Sequence, residues 1–252
     1  PDVAAFMELE NTTPTATIND LLGAVSASGG GAHPYAFVNT GGTLGTDAIR
    51  VMQVYRTGIL SPVGSPLVDL DPVHNRPPTA QGYDVVDASN PAFGQRFIVV
   101  ANHLKSKGSC PAAGDPDADQ NDGQGCWAVT RTQQAQRTMT WIDSTVVPAF
   151  GSSNVLLLGD FNSYASETPV TTLEAGGYHD METELHCTNA YSYLFSGELG
   201  HLDYAFANDT LKPLITGADA WHINADEVDL FDYNDEIKDT GEATFEEKPD
   251  GS

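Results

Sequence analysis

The sequence predicts a single α/β domain, and three observations carry that expectation. The chain has 252 residues, 40% of them hydrophobic, which suffices to bury one full core; mixed α/β folds of this size often run undivided. A helical pattern over Thr130 to Val147 leads straight into the apolar run Val155-Leu156-Leu157-Leu158, a helix–strand unit. Further short apolar runs recur along the chain with no internal repeat and no clear linker. No apolar run approaches the ~18 residues a membrane span requires.

The elements follow in order. Pro1-Asp2-Val3-Ala4-Ala5-Phe6-Met7 reads as a buried strand already under way, and its lack of a lead-in sets the expectation that residues are missing upstream. Residues 14–28 read as a helix with Thr17 as N-cap and Leu21, Leu22 and Val25 on one face. Residues 48–56 and 96–101 read as strands, joined by a Pro/Gly-rich connection from Leu60 to Gly94. In the 130–147 helix, Thr130 and Gln133 form a capping box, and Ala135, Met139, Ile142 and Val146 recur at helical spacing. The strand 155–158 comes next. After Tyr191 to Phe195 and a turn at Ser196-Gly197-Glu198, a strand runs through Leu202-Asp203-Tyr204-Ala205-Phe206. From Asp226 the chain is acidic and apolar-poor and ends at Ser252 without a closing strand. The expectation is one domain over 1–252, cut at both ends.

Charge and cysteines bound the setting. Asp and Glu number 35 against 11 Lys and Arg, a net charge of −24. Such a surface repels polyanions at long range; it suits a protein that stays soluble in salty water, where screening is strong. Cys110 and Cys126 bracket a loop of Gly, Pro, Asp and Asn, which suits a local disulfide in an exported protein. Closing that loop contributes about 3 kcal/mol in the chain-entropy model. Cys187 is left over.

Candidate chemistry gathers at strand ends. In Gly159-Asp160-Phe161-Asn162, alternation along an extended chain puts Asp160 and Asn162 on one face and turns Phe161 into packing. A carboxylate and a carboxamide there can hold a water, a hard metal ion and a phosphate oxygen, or simply make a turn. Glu8 ends the first apolar run, as a metal ligand or a cap. Asn102-His103-Leu104-Lys105-Ser106-Lys107 sets an amide, an imidazole and two ammonium groups just past a core strand. It is an anion site with a general acid, or a solvated loop. Arg76, stiffened by Pro77 and Pro78, suits a bidentate phosphate contact. Asp203 lies in an apolar strand and needs a partner, with a histidine the natural one in a hydrolase. The loop 115–122, with Asp115, Asp117 and Asp119 at alternate positions, resembles the start of a calcium loop but lacks its glycine spacing and closing Glu.

In this order, the chain resembles the endonuclease/exonuclease/phosphatase superfamily, the fold of pancreatic deoxyribonuclease and the abasic-site endonucleases, and within it the bacterial extracellular nucleases. The matching text is Met7-Glu8-Leu9-Glu10-Asn11, Ile49-Arg50 with Tyr55-Arg56, Arg76-Pro77-Pro78, Asn102 to Lys107, Gly159 to Ser163, and Leu202-Asp203-Tyr204. The resemblance implies a four-layer sandwich, two packed mixed β-sheets flanked by helices, with strands 98–101, 155–158 and 202–206 central. It implies that Glu8 and Asp160 hold a divalent cation, Mg²⁺ in the first place, with Mn²⁺ or Ca²⁺ as alternatives. It implies that Tyr55, Arg76, Asn102 and Lys105 contact phosphate, that His103 is an acid or electrostatic stabiliser, and that Asp160 and Asn162 position water and phosphate. Asp203 would orient a histidine base. The family's first-strand asparagine and its last-strand Ser-Asp-His would lie beyond Pro1 and Ser252, so this stretch alone is expected to be weak or inert.

The function expected is a secreted, metal-dependent nuclease acting on extracellular DNA or RNA. One alternative is a phosphatase or phosphodiesterase for small or lipid phosphoesters. Another is a non-catalytic surface module that keeps the fold. A continuous basic groove around Arg76, Lys105, Lys107 and Arg131 would favour a polynucleotide.

Overall fold

A computed structural model of the chain describes residues 1–11, 16–27, 34–186, 191–195 and 197–222. Two sheets dominate it. The smaller has the order β1-β3-β2, from β1 (Val3–Glu10), β2 (Tyr35–Phe37) and β3 (Ile49–Arg56). The larger has six strands in the order β4-β5-β6-β7-β11-β8. These are β4 (Leu60–Val68), β5 (Thr79–Val85), β6 (Arg96–His103), β7 (Val155–Asp160), β8 (Tyr178–Asp180) and β11 (Asp203–Asn208). β6 and β7 run parallel and the other pairs antiparallel, so the sheet is mixed. A hairpin of β9 (Tyr193–Phe195) and β10 (Glu198–Gly200) stands apart.

Period-two alternation builds the layers. Ile98 and Val100 of β6, with Val155 and Leu157 of β7, join the large core beneath helices α2 (Ala128–Trp141) and α4 (Thr168–Ala175). Their neighbours Phe97, Val99, Leu156 and Leu158 face the opposite way and meet Val3 and Tyr55 of the small sheet. The small sheet's outer face, with Met52, Val54 and Phe6, is covered by Ile18, Leu21 and Leu22 of helix α1 (Ala16–Ala27). Helix, sheet, sheet, helix is the four-layer sandwich expected, with 98–101, 155–158 and 202–206 central.

Three expectations need correction. Residues 60–94 are not a plain connection but contain β4 and β5. β4 is an edge strand, where Pro62 and Pro66 deprive no inner neighbour of a donor. Thr17 lies inside α1, and its hydroxyl bonds Glu10 Oε2 at 3.4 Å instead of capping. The capping box at Thr130 does not form either: the cap position is Trp127, in the left-handed region at φ 66°, with no side-chain cap of its own. Beyond α2 the helix widens into π-helical turns over Ile142–Val146 and closes in α3 (Val147–Phe150).

Asp117, from the acidic loop, caps α2 across space. Its carboxylate accepts the Thr130 amide at 2.8 Å and the Thr130 hydroxyl at 2.6 Å, while its carbonyl accepts the Trp127 amide at 2.7 Å. Asp115, Asp119 and Asp122 each accept a backbone amide two residues on. The 115–122 loop thus spends its carboxylates on turns and a helix cap rather than on a calcium cage. Cys110 and Cys126 form the expected disulfide, Cα to Cα 5.4 Å, which ties this loop to the helix start. Cys187 and the tail from Asp226 lie outside the described residues. Asp117→Ala should lower unfolding stability by about 1 kcal/mol in a urea titration, as removal of a helix cap does.

Candidate active site

The row across β6, β7 and β11 defines the site. His103 is opposite Asp160, and Asp160 is opposite Asp203, so the three side chains stand side by side on the face turned toward the small sheet. They crown the inter-sheet core, one step beyond Leu158. His103 is buried and its Nε2 lies 3.3 Å from Asp160 Oδ2. Its Nδ1 is buried with no hydrogen-bond partner.

Asn162 joins this row by a turn rather than by strand alternation. β7 ends at Asp160, whose Oδ1 accepts the Asn162 backbone amide at 2.7 Å. The Asn162 side-chain amide then donates to Asp160 Oδ2 and to Leu104 O, both at 3.1 Å. The turn and the catalytic reading are therefore one structure. Asn162 has φ 47° and Glu8 has φ 61°, backbone conformations that non-glycine residues adopt at some cost and that concentrate at functional sites. At Glu8 the cause is a β-bulge between Phe6 and Leu9, a device that re-aims a side chain at a strand end.

Arg76 sits between the two sheets' contributions. It is 6% exposed and donates to Leu104 O, and it lies 3.9 Å from Asp47. Burial lowers its pKa, while the charges of Asp47, Asp160 and Glu8 oppose that shift. Both proposed metal-ligating carboxylates thus act on one guanidinium. The buried Nε of Arg76 has no partner; a phosphate oxygen would satisfy it. Among the described residues no three His, Cys, Asp or Glu side chains gather as a cage. Mg²⁺ does not need one, since it takes one or two carboxylates and keeps several waters.

Asp203 stands at the start of β11, not in the middle of an apolar strand. Lost hydration raises its pKa first, then the Asp160 charge; a Ser192 hydrogen bond and the His201 and His103 charges pull the other way. A raised carboxyl pKa means the folded protein holds this proton longer than the unfolded chain. Its stability is full below the ordinary aspartate pKa and falls as pH rises through the raised value. Asp203→Asn should therefore raise the thermal midpoint near neutral pH and leave it unchanged at about pH 3, where the wild type is itself protonated.

Three expected contacts fall elsewhere. Asn102 is adjacent to His103 and so points to the opposite face, where its amide meets Val100 O at 3.3 Å and Thr138 Oγ1 at 3.5 Å. Tyr55 pairs with Val3 and packs on Tyr83 at 5.6 Å in the inter-sheet core. That is about 16 Å along the strand from the Glu8 bulge, at ~3.3 Å per residue. Arg131 is fully buried, with Nε on Ser163 Oγ at 2.9 Å and Nη2 3.5 Å from Glu167; with Arg76 also buried, no continuous basic groove forms among the described residues. Lys105 does stay beside the site: its pKa is lowered by burial and then by the nearby Arg76 charge, and its ammonium lies over the Trp127 ring at 4.8 Å.

Gly159 makes the close packing of this row possible. It has φ 148°, and a Cβ there would fall 1.9 Å from Asn102 O. Only glycine lets β6 and β7 approach at this level. The sequence gives no local signal for Ser192, whose hydroxyl accepts both the Leu202 and Asp203 amides at 3.1 Å. The same holds for His201, buried between Asp180 and Glu182 and stacked on Tyr204 at 4.2 Å.

No family model and no curated protein sequence matches the chain. Solved structures do. The human Nocturnin catalytic domain with bound sulfate superposes with TM-score 0.53 at 14% identity, over 83% of this chain and 70% of that one. A humanized D. rerio TDP2 gives 0.54 at 16% identity, over 82% and 70%. An endonuclease/exonuclease/phosphatase family protein from Bacteroides thetaiotaomicron gives 0.52 at 13% identity, over 82% and 69%. The fold is that of the endonuclease/exonuclease/phosphatase proteins. In that fold the row His103, Asp160 and Asp203 sits where β6 and β7 end and β11 begins, with Glu8 on the first described strand of the small sheet.

Proposed function

We propose that the chain is a divalent-metal-dependent phosphodiesterase, exported from the cell, whose substrate is nucleic acid. The observation that carries this reading is the His103–Asp160–Asp203 row, with Asn162 bonded into it and buried Arg76 alongside. Phosphodiester hydrolysis needs a positioned water, neutralised phosphoryl oxygens and a stabilised leaving alkoxide. Asp160, held by Asn162, accepts a hydrogen bond from the water and aims it. Arg76 offers its unpartnered Nε to a phosphoryl oxygen, and His103 serves as the acid or electrostatic stabiliser for the developing charge. Asp203, opposite Asp160 in the row, is the carboxylate that would orient a histidine base. Glu8 and Asp160 would hold the cation, which when bound supplies further neutralisation of the phosphate.

The disulfide and the acidic surface support an extracellular setting. Among the described residues no helix is long and apolar enough to cross a membrane. The buried state of Arg76 and Arg131, together with the net charge of −24, favours a second reading as a phosphoesterase for small phosphoesters. A non-catalytic module is disfavoured by the left-handed backbone at Glu8 and Asn162, strain for which such a module has no use. Hydrolysis of plasmid DNA and of bis(p-nitrophenyl) phosphate by the full-length protein, each with Mg²⁺ and with chelator, tests the readings. Metal-dependent cleavage of both supports the nuclease; cleavage of the small ester alone supports the second reading; cleavage of neither sinks both.

A further inference from the structure

The loop that leaves β7 is locked from beneath. Phe161 is buried with its ring edge-on to Tyr204 and Phe206. Ser163 is fully buried, holding Arg131 through its hydroxyl and the Tyr204 hydroxyl through its carbonyl at 2.9 Å each. Glu167, also buried, accepts from Lys107 and Arg131, and its amide donates to Tyr164 O at 2.9 Å. From this frame Tyr164 projects, 37% exposed. A Cβ on Gly200 would lie 2.4 Å from its Cε1 and 3.3 Å from both Cδ1 and Cζ, which is an approach in the ring plane. Gly200 therefore braces the edge of the ring and not its faces. Lys107 Nζ lies over one face, 4.5 Å from the centroid.

Cations are placed with the same economy. Arg56, Arg96, Arg137 and Lys212 pair with Asp2, Asp84, Asp69 and Glu184 away from the row, and Arg131 is sealed inside. Lys105 and Lys107, two and four residues past His103, remain partly exposed beside it, each against an aromatic ring, and Lys107 is also paired with buried Glu167. Lys105 has no carboxylate partner among the described residues.

Resting on the phosphodiesterase reading above, we infer that Tyr164 receives the base of an unpaired nucleotide next to the scissile phosphate, with Lys105 on a flanking phosphate and Lys107, held by Glu167, backing the ring. The substrate strand is then bound single-stranded. A duplex keeps its bases stacked inside, beyond reach of a projecting ring, and brings about one charge per 1.7 Å to a strongly acidic protein. A single strand offers a π-face at every base, and an aromatic side chain with basic neighbours is how such strands are gripped. A base-free phosphoester would leave the braced ring without a contact.

Fluorescence anisotropy in chelator tests this with three labelled probes: dT12, a 12-mer of abasic residues, and a 12-base-pair duplex. The expected result is tightest binding of dT12, weakened roughly 10-fold by Tyr164→Ala, kept by Tyr164→Phe, with abasic binding unchanged by either. Equal loss on dT12 and the abasic strand, no loss at all, or a duplex bound as tightly as dT12 overturns the inference. Cleavage of the abasic 12-mer with Mg²⁺ reads the chemistry separately. If the wild type cannot cleave it or dT12, the phosphodiesterase reading fails, whatever Tyr164 does to binding.

Discussion

Asp160→Ala is expected to lower phosphodiester hydrolysis by a factor of about 1,000, with His103→Ala costing about 100-fold. Asp160 is linked to Asn162, His103, Arg76 and Asp203 alike. It bonds Asn162 twice, lies 3.3 Å from His103, and its charge shifts the pKa of Arg76 and of Asp203. Alanine removes the acceptor for the attacking water and frees Asn162 from its only fixed carboxylate. The fold itself should survive, because Asp160 ends β7 at a partly exposed position and contributes nothing to either core. An initial-rate assay beside a thermal melt separates the two effects. A rate within tenfold of wild type at unchanged stability would remove Asp160 from the chemistry.

Gly159→Ala is expected to be as damaging to the fold as Asp160→Ala is to the rate. Its Cβ would collide with the Asn102 carbonyl, a backbone atom in the next strand, and φ 148° is strained for any side chain. The parallel pairing from Ile98–Val155 to His103–Asp160 must shift to relieve that contact. A loss of about 3 kcal/mol or more follows, the range for strain at special backbone positions in a core. For a domain of this size that is a fall of roughly 6–12 °C in thermal midpoint. Differential scanning calorimetry reads it directly, and an unchanged midpoint would contradict the close approach of β6 and β7. Hydrolysis should fall as well, because the same shift pulls His103 away from Asp160.

What the sequence revealed and what it hid divide along physical lines. β3, β6, β7 and the α2 helix were legible because runs such as Phe97 to Ala101 and Val155 to Leu158 are buried on both faces and need no context. β4 was not, because Pro62, Gly64 and Pro66 signal a loop and only an edge position, invisible locally, tolerates them; β5 was not, because Thr79 to Val85 mixes Gln81, Gly82 and Asp84 into a short run without apolar continuity. The start of α2 looked self-capped at Thr130, yet the cap is Asp117, thirteen residues away and fixed by tertiary folding. For the site, Asp160, Asn162 and His103 were legible as polar residues at the ends of apolar strands. Asn102 was misread because a motif names neighbours while a strand separates them onto opposite faces. Tyr55 looked like a phosphate ligand beside Arg56, but its ring fills space between the sheets against Tyr83. Tyr164 gave no signal, since only the buried anchoring of Ser163 and Glu167 makes its exposure meaningful.

The metal is the point on which the chemistry turns. Crystals soaked in Mn²⁺, with data at the manganese edge, would place the ion by its anomalous scattering. The expected result is one strong peak between the carboxylates of Glu8 and Asp160, close to Arg76 and lost in Asp160→Ala. A peak confined to the 115–122 loop, or none at Glu8 and Asp160 with the ion in excess, would contradict a metal-assisted phosphodiester site at the end of these two sheets.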